Sequence, residues 1–146
     1  MPILLVRHGE AMPSHGPDEE RILSLRGRDE VRALASVLAL RGMTPGAVLA
    51  SPLVRAVQTA ELLAAGLGYA GVVAVDRAFE PHGDVRRAEQ ILSGAPGLVV
   101  VATHEPFVRL LAGALTMQSS VRSFRTAECA LIDGGRLVLR LDPDTA

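Results

Sequence analysis

LLVRHGEA, residues 4–11, carries an apolar run straight into an arginine and a histidine, and then reaches a glycine. The run Pro2–Val6 has the length and composition of a buried β-strand, and Gly9 marks the turn that ends it. Arg7 and His8 therefore fall where a strand stops: a fixed cation beside an imidazole. The small Gly9 is expected to turn the chain sharply and leave room beside His8.

Working outward, strands and helices alternate. Residues 11–28 are rich in Pro, Gly, Ser and charge, and read as a long loop of the kind that serves as a lid or binding element. Asp29–Arg41 has helical spacing in Val31, Leu34, Ala35 and Leu38, and Gly42 closes it. Residues 47–52, AVLASP, read as a second strand. Ser51 is expected to cap the next helix, with Pro52 at its first position. That helix reaches about Gly66. A third strand is expected over 71–75, a loop over 80–85 and a short helix over Val85–Leu92. The most hydrophobic strand, GLVVVAT (97–103), is expected at the centre of the sheet, followed by a helix over Pro106–Met117. The end reads as a hairpin, Ala127–Ile132 and Arg136–Leu141, split by Gly134-Gly135. The expected fold is α/β with three layers: a mostly parallel central sheet, helices on both faces, and a C-terminal hairpin.

With 146 residues, 49% of them hydrophobic, the chain suits one folded domain over 1–146. Aromatics make up only 3%, which argues against nucleic-acid binding by base stacking. A net charge of −1 gives no attraction to polyanions or to a membrane surface. Cys129 is the one cysteine, so neither an intramolecular disulfide nor a thiolate metal site is available. It reads as a small buried hydrophobe. MPILLV is too short for a signal peptide, and no apolar run approaches the roughly 20 residues that span a bilayer. A reducing, cytoplasmic setting is expected. The oligomeric state is left open, a monomer included.

Parallel sheets bind ligands beyond the carboxyl ends of their strands. The first strand ends at Arg7-His8 and the second at Ser51, with Arg55 in the next helical turn. The third ends near Asp76, with Glu80 in the loop beyond, and the fourth at Thr103-His104. Four strand ends thus deliver polar groups to one sheet edge. Two guanidiniums on one spot call for an anion, and their planar forks match phosphoryl oxygens. The helix start at Pro52 adds backbone N–H groups. A neutral imidazole whose other ring nitrogen is held by an acceptor is a good nucleophile towards phosphorus. A nearby carboxylic acid can protonate a leaving group. The inferred chemistry is phosphoryl transfer through a phosphohistidine, with no cofactor and no metal.

VRHGEA, SPLVRAVQTAELL and VATHEP together resemble the histidine phosphatases, the superfamily that includes the phosphoglycerate mutases, from Ile3 to at least Leu115. The resemblance implies a phosphorylated nucleophile at His8, a phosphate pocket of Arg7, Arg55 and His104, and a proton donor near Glu80. It also implies a phosphate contact shortly after the triplet, where this chain has Ser14. The short chain looks most like the small bacterial phosphohistidine phosphatases of the SixA type, whose substrate is a phosphohistidine on a partner protein. A general phosphatase for small phosphomonoesters and an inactive phosphate-binding module are the alternatives. His15 and His82 read as exposed loop residues, and the spacing His8, Glu10, His15 matches no helical zinc motif.

Overall fold

Two strands with no polar side chain except at their ends, β1 (Ile3–Arg7) and β4 (Leu98–Thr103), lie side by side and parallel in the computed structural model, which describes residues 1–13 and 16–144. Both are covered on both faces, which is why they read as continuous apolar runs rather than alternating ones. β2 (Pro45–Ala50) pairs with the other edge of β4 and β3 (Ala74–Val75) with β2, all parallel. β5 (Cys129–Asp133) runs antiparallel to β1, and β6 (Arg136–Leu141) completes the hairpin through Gly134 and Gly135, both at positive φ. The order across the sheet is β3-β2-β4-β1-β5-β6, with β4 inside as expected.

Successive strand residues point to opposite faces. Leu4, Val6, Val48, Ala50, Val100 and Ala102 pack under α1 (Leu25–Leu40) and α2 (Val54–Gly66). Ile3, Leu5, Leu49, Val99 and Val101 pack under α3 (Val85–Ser93) and α4 (Phe107–Thr116). The three-layer α/β architecture is therefore the one the alternation implied.

Beyond shifts of one or two residues at the ends of β2, α4 and β5, three differences from the sequence reading stand out. α1 begins at Leu25, not Asp29: the Ser24 side chain accepts from Gly27 N–H at 3.0 Å and caps it. Residues 24–28 read as loop with the Pro-, Gly-, Ser- and charge-rich stretch 11–28, but the glycine in that first turn serves packing. A Cβ at Gly27 would collide with the Glu10 carbonyl, so only glycine lets the helix lie on the segment after His8. The corresponding glycine on the other side is Gly9, where a Cβ would meet Gly27 O and Val31 Cγ2, each at 2.9 Å. Gly9 thus makes room for a helix, not for a ligand beside His8.

The second difference is α2, which begins at Val54 with Leu53 in the capping position and no side-chain cap. Ser51 instead accepts from Leu53 N–H at 3.2 Å and faces His104. Pro52 lies before the helix. The third is β3, which is two residues long rather than five and sits at the sheet edge, with Val72 exposed before it.

The expected lid over 11–28 is a pinned loop on its described residues. Ala11 bridges Leu23, Met12 N–H donates to Ile22 O at 2.8 Å, and Leu23 N–H donates to Gln58 Oε1 at 2.8 Å. A short 3-10 turn, Asp18–Glu20, projects from it. Ser14 and His15 lie outside the described residues.

Gly27→Ala is expected to lower the unfolding free energy by about 1–3 kcal/mol through overpacking, read as a fall in urea midpoint. An unchanged midpoint would mean that α1 does not lie on the Gly9–Glu10 backbone as described.

Candidate active site

Register brings the site together before any side chain is considered. Arg7 is level with Thr103 across the β1–β4 pair, and Ala50 is level with Ala102 across β2–β4. The next residues continue the ladder: His8 N–H donates to Thr103 O at 2.9 Å and Ser51 N–H to Ala102 O at 3.2 Å. His8, Ser51 and His104 are consequently neighbours at one sheet edge, with Arg7 beside them and Arg55 descending from the first turn of α2. The His8 and His104 rings have centroids 5.0 Å apart, tilted at 59°.

His8 is 9% exposed. Its Nδ1 lies 2.7 Å from Gly9 O. A carbonyl can only accept, so the proton sits on Nδ1 and the Nε2 lone pair is left available. Gly9 is held in turn, its N–H donating to Thr59 Oγ1 at 3.1 Å, and Thr59 donates to Arg55 O at 2.8 Å. The backbone that sets the His8 tautomer is thus tied to the helix that carries Arg55.

His104 Nε2 lies 2.8 Å from Ser51 Oγ, while its buried Nδ1 has no partner among the described residues. Burial lowers both imidazoles, His8 to about 4 and His104 to about 3; for His8 the cations Arg55, Arg7 and Arg21 add to this, and for His104 the largest further causes are His8 and Arg55. Both rings are neutral at pH 7, the form that a nucleophile needs.

The two arginines are each held from one side. Arg7 NH1 donates to Phe124 O at 2.7 Å. Arg55, only 5% exposed, donates from NH1 to Asp18 O at 2.9 Å and from NH2 to Asp18 Oδ2 at 3.1 Å. Each leaves a buried Nε without a partner among the described residues. His104 Nδ1 is likewise buried and unpartnered among the described residues, and all three residues line the same cleft. Buried polar groups are rarely left unsatisfied, and an anion with several acceptor oxygens would satisfy them.

Arg7, His8, Arg55 and His104 all line one cleft of about 420 Å³. Glu80 does not. Its carboxylate lies 3.8 Å from Arg77, and Pro81 reaches the cleft instead, because Thr103 Oγ1 donates to Phe79 O and fixes that segment. His82 is exposed. Cys129 is fully buried and its thiol is pushed up to about 12 by burial, which suits the role of a small core residue.

Among the lining residues to which the sequence reading gave no role are the charged Asp18, Arg21 and Glu105. Asp18 and Arg21 come from the loop, joined to each other at 3.1 Å, with Arg21 Nε donating to Met12 O at 2.9 Å. No local pattern marks them, since only the Ala11–Leu23 closure brings them in. Glu105 directly follows His104, and that adjacency was its one signal. Among the described residues no cluster of three or more His, Cys, Asp or Glu is placed to hold a metal.

The model of the histidine phosphatase superfamily (branch 1) matches residues 3–83, more than half of the chain, and the chain belongs to that superfamily. It is an enzyme of the phosphatase class, and its likeness is to the SixA type. Phosphohistidine phosphatase SixA of Escherichia coli (strain K12) is 29% identical over 136 residues, covering 90% of this chain and 84% of that protein. The solved structure of the protein histidine phosphatase SixA complexed with tungstate superimposes with a TM-score of 0.92 at 28% identity, covering 99% and 98% of the two chains. In fold, a mycobacterial glucosyl-3-phosphoglycerate phosphatase is also similar, with a TM-score of 0.76 at 18% identity, covering 94% of this chain and 97% of that one.

The depressed imidazoles give a pH dependence with a definite sign. An unfolded histidine titrates near 6.5, so below that pH the unfolded chain binds protons that folded His8 and His104 refuse. Stability is fully present above about 6.5 and is expected to decline as pH falls towards about 4. Urea unfolding at stepped pH checks this, and His104→Asn should flatten the decline. A level profile across that window would contradict the buried neutral pair.

Proposed function

We propose that the protein is a phosphohistidine phosphatase that takes phosphate from a histidine of a partner protein and carries it transiently on His8. The observation that supports this most is the Nδ1–H···O bond from His8 to Gly9, which turns the free Nε2 lone pair to the cleft between two arginines.

In the first step Nε2 of His8 attacks phosphorus and the bond from phosphorus to the substrate's imidazole breaks. Arg7 and Arg55 stabilise the negative charge that builds on the phosphoryl oxygens, and His104 adds a third contact. In the second step water attacks phosphorus, the P–Nε2 bond breaks and inorganic phosphate leaves. The proton of the attacking water passes to the departing phosphate or to solvent.

Two features favour a P–N over a P–O substrate. An imidazole that carries a proton on its other nitrogen departs as a neutral molecule, whereas an alkoxide needs an acid. The carboxylates that line the cleft are otherwise engaged: Asp18 with Arg55 and Arg21, Glu105 with Arg109, and Glu10 as acceptor from Ser24 Oγ at 2.9 Å. Glu80 as proton donor would require its segment to move. Arg7 and Glu105 also border a second groove of about 590 Å³, with Arg109, Val121, Ser123 and Phe124. A groove of that size beside the cleft suits a side chain presented by another protein. A cytoplasmic location and residues 1–146 acting as one catalytic domain complete the proposal.

Rates on a phosphohistidine protein and on a panel of phosphate esters test the substrate class. The proposal expects a higher kcat/KM on phosphohistidine. A strong ester preference would place the enzyme among small-molecule phosphatases instead. Replacing Arg7 or Arg55 by Ala should cost about 3–4 kcal/mol of transition-state stabilisation, roughly 10²–10³ in rate. Full activity in both variants would remove the pocket assignment.

A further inference from the structure

Glu105 presents a problem of sign. It lines the cleft that is built for an anion, and a carboxylate there repels phosphate. Its position needs another reason, and its hydrogen bonds supply one. Glu105 Oε2 accepts from Phe124 N–H at 2.7 Å and Oε1 accepts from Arg109 Nε at 2.8 Å. Phe124 O is the acceptor that holds Arg7 NH1, also at 2.7 Å. The carboxylate after His104 therefore grips the residue whose carbonyl aims Arg7.

The segment carrying Phe124 is anchored independently of Glu105. Glu128, 1% exposed, accepts from Arg125 N–H at 2.7 Å, from Arg140 Nε at 2.8 Å and from Arg122 NH2 at 3.0 Å. The Phe124 ring is buried, with the Arg140 guanidinium 4.2 Å above its centre. These contacts keep the segment folded. What Glu105 adds is the orientation of the Phe124 backbone, and with it the placing of a guanidinium that lines the cleft.

We infer that Glu105 is a positioning residue for the phosphate pocket, acting through Phe124 on Arg7 and not touching the reacting atoms. This rests on the pocket assignment under the proposed function. Both carboxylate oxygens are occupied by donors, so Glu105 does not serve as the acid of the reaction. It links the ends of β4 and β1 by a second route, beside the strand pairing itself.

The test is the affinity of the full-length protein for inorganic phosphate, measured by calorimetry, in Glu105→Ala, Glu105→Asp, Glu105→Gln, Arg7→Ala and the Arg7→Ala/Glu105→Ala pair. If Glu105 acted only by repelling the bound anion, its removal would tighten phosphate binding. Its charge also reaches Arg7 directly, and Glu105→Asp, which keeps the charge without the reach to Phe124, separates that effect from positioning. The inference expects the opposite: Glu105→Ala weakens phosphate about tenfold, the size of one charge-assisted hydrogen bond. Glu105→Asp keeps the charge but loses the reach, and is expected to resemble Glu105→Ala. Glu105→Gln keeps one acceptor oxygen at full reach and should lose least. In the Arg7→Ala background, Glu105→Ala should have no further effect, because both act through one guanidinium.

Tighter or unchanged phosphate binding in Glu105→Ala, or full additivity with Arg7→Ala, overturns the inference. Where Arg7→Ala weakens phosphate and Glu105→Ala does not, only this inference falls. Where Arg7→Ala also leaves affinity unchanged, the pocket assignment falls and takes it along. If Glu105→Ala does not fold, Glu105→Asp is judged by the same criteria.

Discussion

Burying Arg55 beside two imidazoles is the constraint on which the site depends. A guanidinium has no neutral form available at ordinary pH, so its charge must be met where it lies. Asp18 meets one edge of it, and does so from a loop closed by the Ala11–Leu23 bridge. The imidazoles respond by staying neutral, both pushed far below their ordinary range by burial. A fixed cation and two uncharged rings at one cleft are the basis of the proposed anion site. The packing of Gly27 on the chain after His8, the Thr59 link to Gly9 and the grip on Phe124 all hold that arrangement still.

What could be read in advance followed from short-range rules. β1 and β4 are apolar runs because they are covered on both faces, and the rule for parallel sheets then placed Arg7, His8, Arg55 and His104 at one edge. The four do line one cleft. What could not be read depends on contacts between distant segments. Ser24 and Gly27 looked like loop because the reason for that glycine lies in Glu10, on another element. Ser51-Pro52 has the pattern of a helix start, yet Ser51 is turned to His104, 53 residues away. Asp18 and Arg21 carry no spacing signal, and of the Glu80–Pro81 pair it is Pro81 that lines the cleft, with the Glu80 carboxylate beside Arg77.

The same architecture accommodates phosphatases of different substrates, as the fold likeness to a glucosyl-3-phosphoglycerate phosphatase shows. Selectivity must therefore come from what surrounds the proposed phosphate pocket. Here the surroundings are carboxylates engaged by other groups and a groove beside Arg7, the features on which the proposed phosphohistidine substrate rests.

The central claim, that the His8 tautomer directs the chemistry, is tested most directly by trapping the enzyme during turnover and locating the phosphate by NMR. The account predicts phosphate on Nε2 of His8, the nitrogen left free by the bond to Gly9 O. Phosphate on Nδ1 of His8, or on any other residue, would contradict it.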